Sequence, residues 1–132
     1  MTEHTHPEME RLEAAAFRRL VEHLRLRQDA SNIDLMGLAG FCRNCLADWL
    51  AEASAQTPQP ITREEARNHI YAEPYADFRK RQPEAVPEQL ARMEQSLLEN
   101  ARVRAAVKSR KLDDQLDASF PASDPPGITQ PR

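Results

Sequence analysis

Two thiols separated by two residues, in Cys42-Arg43-Asn44-Cys45, have the widest chemical range of any side chains in this sequence. Three positions apart on a helix, two side chains share a face, so the pair could hold a metal, undergo thiol–disulfide exchange, or pack as small apolar groups. Zinc or iron is the metal such a pair would take, but a structural zinc wants four ligands and the chain has no second Cys-x-x-Cys. His23 and His69 could complete a Cys2His2 set within one chain, or two chains meeting at an axis could pool four cysteines. Exchange of the thioredoxin kind needs the pair at a helix N-terminus inside a strand-and-helix fold. The helical pattern here instead puts the pair in mid-helix, with no strand in view. In the third reading both cysteines are core residues, because free cysteine behaves as a small hydrophobe. The expectation is a core pair, with the metal site as the alternative.

Arg43, Asn44, Asp48 and Trp49 flank the thiols and form the candidate binding set. An arginine, an amide and a carboxylate beside an aromatic ring could frame a small anionic ligand. Equally, Arg43 could pair with a carboxylate on a neighbouring helix, and Asp34 could complement a helix N-terminus. No catalytic set emerges elsewhere. His4 and His6 lie in a polar arm, no glycine loop could cradle a phosphate, and there is no His-Glu-x-x-His. The basic run Arg102, Arg104, Lys108, Arg110 and Lys111 has no aromatic among it and is followed by Asp113, Asp114 and Asp117, which reads as a solvated helix face.

Helices must position these groups. Leu12, Ala16, Phe17, Leu20, Val21 and Leu24 recur at helical spacing from Pro7 to about Arg27. A second helix is expected from about Ile33 to Ala53, with Leu38, Cys42, Cys45, Trp49 and Glu52 on one line. Gly37 and Gly40 within it each cost roughly 1 kcal/mol relative to alanine, tolerable if another backbone packs closely there or the helix bends. Thr62 and Glu65 make a capping box with Ile61 as a hydrophobic staple, opening a third helix to about Ala72. Tyr75 to Arg81 forms a further short turn or helix, and Pro87 opens a long helical pattern to about Asp117. The first three helices are expected to enclose Phe17, Leu20, Leu24, Leu38, Cys42, Leu46, Trp49, Ile70 and Tyr71.

The chain has 132 residues, 40% of them hydrophobic, 30% charged with both signs interspersed, and a net charge of -3. Ala, Leu, Glu and Arg dominate its middle, a helix-forming composition. The charge balance argues against a nucleic-acid or membrane-surface partner, and no stretch approaches the apolar length of a membrane span. Two cysteines read as thiols fit a cytoplasmic protein. The expected organisation is a flexible arm at 1–6, one helical domain at 7–117 including a long C-terminal helix at 88–117, and a disordered Pro-rich tail at 118–132. The fold class is all-α: four or five helices in a partly open bundle. The long helix has an apolar stripe too extended for a small monomer to cover, which points to a homodimer.

Several runs resemble a family of short bacterial proteins known as the domain of unknown function twelve forty-four. They are Ala-Ala-Phe-Arg-Arg-Leu-Val at 15–21, His-Leu at 23–24, Asn-Ile-Asp-Leu-Met at 32–36, Leu-Ala-Gly-Phe-Cys-Arg-Asn-Cys-Leu at 38–46, Glu-Glu-Ala-Arg at 64–67 and Tyr-x-x-Pro-Tyr at 71–75. The resemblance extends over 14–84 and departs from the family pattern at Phe78, where tryptophan is more usual. It implies an all-helical fold and an intertwined helical dimer, and it carries no activity. Two functional readings follow: a non-enzymatic dimeric interaction or regulatory protein, or a metal- or thiol-dependent protein using Cys42 and Cys45.

Overall fold

The computed structural model describes residues 6–118, with side chains described as far as 111. The expected arm, apart from His6, and the Pro-rich tail beyond Ala118 lie outside the described residues. The fold is all-α. Its six helices among the described residues are α1 (Met9–Leu26), α2 (Asn32–Ala39), α3 (Arg43–Ser54), α4 (Arg63–Tyr71), α5 (Tyr75–Lys80) and α6 (Pro87–Ala118).

Local chemistry sets most of the boundaries. Ser31 accepts a hydrogen bond from the Asp34 N–H and starts α2. Thr62 and Glu65 close the capping box in both directions at the start of α4, satisfying two of the N–H groups that a helix leaves free at its beginning. Ile61 packs against the core beside them.

The second helix departs from expectation: it is two helices, not one. Gly40 adopts the left-handed conformation at φ 77 and its N–H donates to the Met36 carbonyl, ending α2. Phe41 follows, Cys42 takes an extended conformation as N-cap, and α3 begins at Arg43. Glycine reaches this backbone region without steric penalty. The carbonyl it frees is taken by the Asn100 side-chain amide of α6 at 2.8 Å. Gly37 acts differently: a side chain there would press on Arg92 of α6, so its absence lets α2 and α6 approach closely.

The break redistributes the expected core. Leu38 is 84% exposed because α2 no longer continues into the line of Cys42 and Leu46. On α3 the buried face is Arg43, Leu46 and Ala47, one position off the expected stripe, which leaves Trp49 46% exposed. Leu20 is also 39% exposed and Phe17 half-buried. The core comprises Val21 and Leu24 of α1, Leu46 and Ala47 of α3, Ala66, Ile70 and Tyr71 of α4, and Phe78 of α5. Ala47 and Ala66 are fully buried, and α3 and α4 share an extensive contact. Leu24, Cys42, Leu46, Ile70 and Tyr71 are buried as the sequence predicts.

Against this cluster, α6 stands apart. Its principal packing partner is α2, and from Ala101 to Lys111 every residue is exposed. Among the described residues no helix is long and apolar enough to cross a membrane.

Candidate functional site

The polar residues that resisted assignment in the sequence converge where α1, α2, α3 and α4 meet. Arg43, at the first turn of α3, is only 2% exposed. Its Nη2 donates to the carbonyls of Leu24 at 2.9 Å and Arg27 at 2.8 Å. Its Nη1 donates to the Ala30 carbonyl at 2.7 Å and to Asn32 Oδ1 at 3.0 Å. The expected carboxylate partner is replaced by the carbonyls at the C-terminal end of α1, which carry partial negative charge and lack helical partners. The Phe78 ring lies 5.4 Å from the guanidinium carbon. Burial pushes the Arg43 guanidinium down from its ordinary value, and the nearby Tyr71 and Cys42 act in the opposite direction.

From Arg43 the polar chain runs on through side chains alone. Asn32 donates through Nδ2 to Tyr71 Oη at 2.8 Å, Tyr71 donates to Asn44 Oδ1 at 2.7 Å, and Asn44 Nδ2 approaches Tyr75 Oη at 3.4 Å. Arg43 thus fixes which way the Asn32 amide faces, and Asn32 with Asn44 fixes the Tyr71 hydroxyl. Burial raises the Tyr71 phenol above its usual value, overriding the Asn32 hydrogen bond.

The chain borders a cleft of about 710 Å³ whose wall includes Asn32, Met36, Cys42, Tyr75, Phe78 and Met93. Cys42 is buried and Cys45 half-buried, and both are free thiols. The break at Gly40 moves the pair from the expected mid-helix position to the first turn of α3, with Cys42 as N-cap. Contrary to the mid-helix expectation, the pair starts a helix, as thiol exchange requires. The electrostatics nonetheless differ from an activated thiol. Burial pushes the Cys42 thiol up, outweighing the backbone N–H groups of Cys45 and Asn44 that favour its ionised form. A protonated, buried thiol is a poor nucleophile.

The other candidate residues point to separate partners. Asp48 forms a two-pronged ion pair with Arg63 of α4 at 2.8 and 3.1 Å, and the guanidinium holds its carboxyl below the usual range. Trp49 stacks on Phe41, ring centroids 6.0 Å apart. Arg43 and Asn44 therefore join one network, while Asp48 is tied to α4 and Trp49 to the α2–α3 link. The His23 and His69 side chains are exposed on α1 and α4. Among the described residues no three His, Cys, Asp or Glu side chains group around a point that could hold a metal. Sequence reasoning passed over Asn32, Tyr71 and Tyr75 as polar partners. Their only signal was their place in the runs Asn-Ile-Asp-Leu-Met and Tyr-x-x-Pro-Tyr, which the fold brings against Cys-Arg-Asn-Cys.

A family model described as "Protein of unknown function (DUF1244)" matches residues 30–95. The match takes in the whole Arg43–Tyr75 chain and the cleft wall as far as Met93. It begins after α1, so the runs at 15–21 and 23–24 fall outside it, and it reaches into the first turns of α6. No curated protein matches the chain.

Proposed function

The chain belongs to the DUF1244 family, and within it we propose a non-enzymatic protein that works as a homodimer, an interaction or regulatory module whose functional part is its exposed helical surface. One observation carries this reading: α6 outruns the helix it packs on. Leu97 and Leu98 are 43% and 66% exposed, and Val103 and Val107, past the Gly40–Asn100 contact, are 39% and 41% exposed. Apolar side chains continued along a helix beyond its own partner need a cover.

The charge pattern of α6 supports a second copy as that cover. Between 87 and 99 the helix carries Glu88, Glu94 and Glu99 against one base, Arg92, whereas between 100 and 111 it carries five bases and no acid. Two such helices running antiparallel about a twofold axis set each acidic half against a basic half while closing the apolar line. The packed polar chain around Arg43 supports a structural role for the family motif, since its strongest donors are already taken by backbone carbonyls.

Within the same reading the protein is cytoplasmic, with a protein as any further partner rather than nucleic acid or membrane. The free thiols and the near-balanced charge of -3 support it. Native mass spectrometry of the full chain tests the dimer. The expected mass is twice the 15.0 kDa of one chain, reverting to one chain in V103D/V107D with helicity retained. A single-chain mass for the unaltered protein at every concentration overturns the reading.

A further inference from the structure

The break at Gly40 has a second effect, on sulfur. It folds α2 back beside the first turn of α3, so that Cys45 Sγ lies 4.0 Å from Met36 Sδ. Cys42, the N-cap of α3, lies one helical turn before Cys45. Met36 and Cys42 also share the wall of the cleft, with Met93 across from them on α6. The junction of α2 and α3 thus brings together three sulfur-bearing side chains, two of them, Met36 and Cys42, on the wall of the cleft.

We propose that Met36, Cys42 and Cys45 form a three-coordinate, all-sulfur site for a soft monovalent cation, copper(I), at the junction of α2 and α3. The site stands independently of the dimer. It replaces zinc or iron, and the distant His23 and His69, as the chemistry open to the Cys-x-x-Cys pair.

Ligand type decides the metal. Thiolate and thioether sulfur suit copper(I), zinc and iron–sulfur clusters, and a set of three without a fourth donor leaves copper(I), since a structural zinc requires four nitrogen, oxygen or thiolate donors. Here there are two thiols and one thioether, with no histidine or carboxylate converging on them among the described residues. The Met36–Cys45 separation of 4.0 Å agrees: a metal–sulfur bond of roughly 2.3 Å in a trigonal arrangement sets sulfurs about 4 Å apart. The charge also closes. Copper(I) on two thiolates leaves one negative charge, next in sequence to the buried Arg43. On binding, the two thiols release their protons to solvent and two Cu–S bonds form, with the Met36 lone pair making the third. No electron is transferred.

The test is an anaerobic titration of the reduced full chain with copper(I) in competition with a colorimetric copper(I) chelator, followed by X-ray absorption at the copper edge. The expected result is one copper(I) per chain in a sulfur-only shell. Met36→Leu keeps volume and fold and lowers affinity by more than the roughly 10–100-fold that loss of an outer-shell partner costs. Cys45→Ser, at a half-buried position, abolishes retention, with circular dichroism verifying that the fold survives. The monomeric V103D/V107D variant retains copper as the unaltered chain does, which separates this site from the dimer. Loss of all copper to the chelator, retention unchanged in Met36→Leu, or nitrogen and oxygen in the copper shell would each overturn the assignment.

Discussion

Arg43 carries its charge into the interior, and what meets it there is the carbonyl end of α1 and its connecting turn. The three carbonyls, of Leu24, Arg27 and Ala30, and the Asn32 amide oxygen would each lose a donor if the guanidinium were removed. A buried acceptor left without a partner costs about 1–3 kcal/mol. Arg43→Met therefore destabilises the fold by at least about 3 kcal/mol, read as a drop in the denaturant midpoint. Arg43→Lys recovers little of it, because one ammonium cannot span four acceptors. A loss below about 1 kcal/mol for Arg43→Met would contradict the network's structural weight. Tyr71 supplies a prediction with a pH signature. Its phenol is raised above the ordinary value of 10.0 by burial, so above that pH the unfolded chain releases a proton the folded chain retains. Stability then falls as pH rises. In Tyr71→Phe that alkaline loss is shallower, on top of about 1–3 kcal/mol lost at neutral pH from the unpaired Asn32 and Asn44 amides. None of this was legible from the sequence, since a pairing of side chain with backbone carbonyl leaves no mark in residue type. A carboxylate was the natural guess.

Helix ends, by contrast, were legible wherever a side chain makes the cap. Thr62 with Glu65 announced α4, and Pro87 announced α6. The end of α2 was not, because the apolar periodicity continues through Gly40 and Cys42 as though one helix ran on. What stops it is an amide sixty residues away in sequence, Asn100, which accepts the role of partner to the Gly40 carbonyl by donating to it. Two substitutions of opposite sign test this account. Gly40→Ala forces a Cβ into the left-handed region and into the Asn100 side chain, and should lower stability by about 1–2 kcal/mol. Ala72 already occupies that region at φ 59, at the end of α4, so Ala72→Gly should raise stability by up to about 1 kcal/mol. Thermal denaturation of both variants beside the unaltered chain reads the pair. A neutral Gly40→Ala would mean that α2 and α3 can join without penalty.

Taken whole, the protein is a compact cluster of α1, α3, α4 and α5 to which α2 and α6 are joined as a pair. The helical class and the long C-terminal helix follow from composition and period alone. The division into cluster and pair does not, because it depends on the turn at Gly40 and on the α2–α6 approach permitted by Gly37. The dimer proposal belongs here, and it makes a further demand. If acidic and basic halves of α6 face one another across the axis, added salt should weaken dimerisation, because screening acts most on exposed charges. Sedimentation across a salt series is the check. An association strengthened by salt would instead assign the contact to apolar burial alone.

Trp49, the chain's single tryptophan, rests on Phe41 in the short link between α2 and α3. Intrinsic fluorescence therefore observes one place in the molecule, and that place is a link between cluster and pair. Any event that swings α2 and α6 relative to α3 alters the ring stacking and with it the emission, with no label introduced. The fold has in effect installed its own optical gauge at the turn that parts α2 from α3.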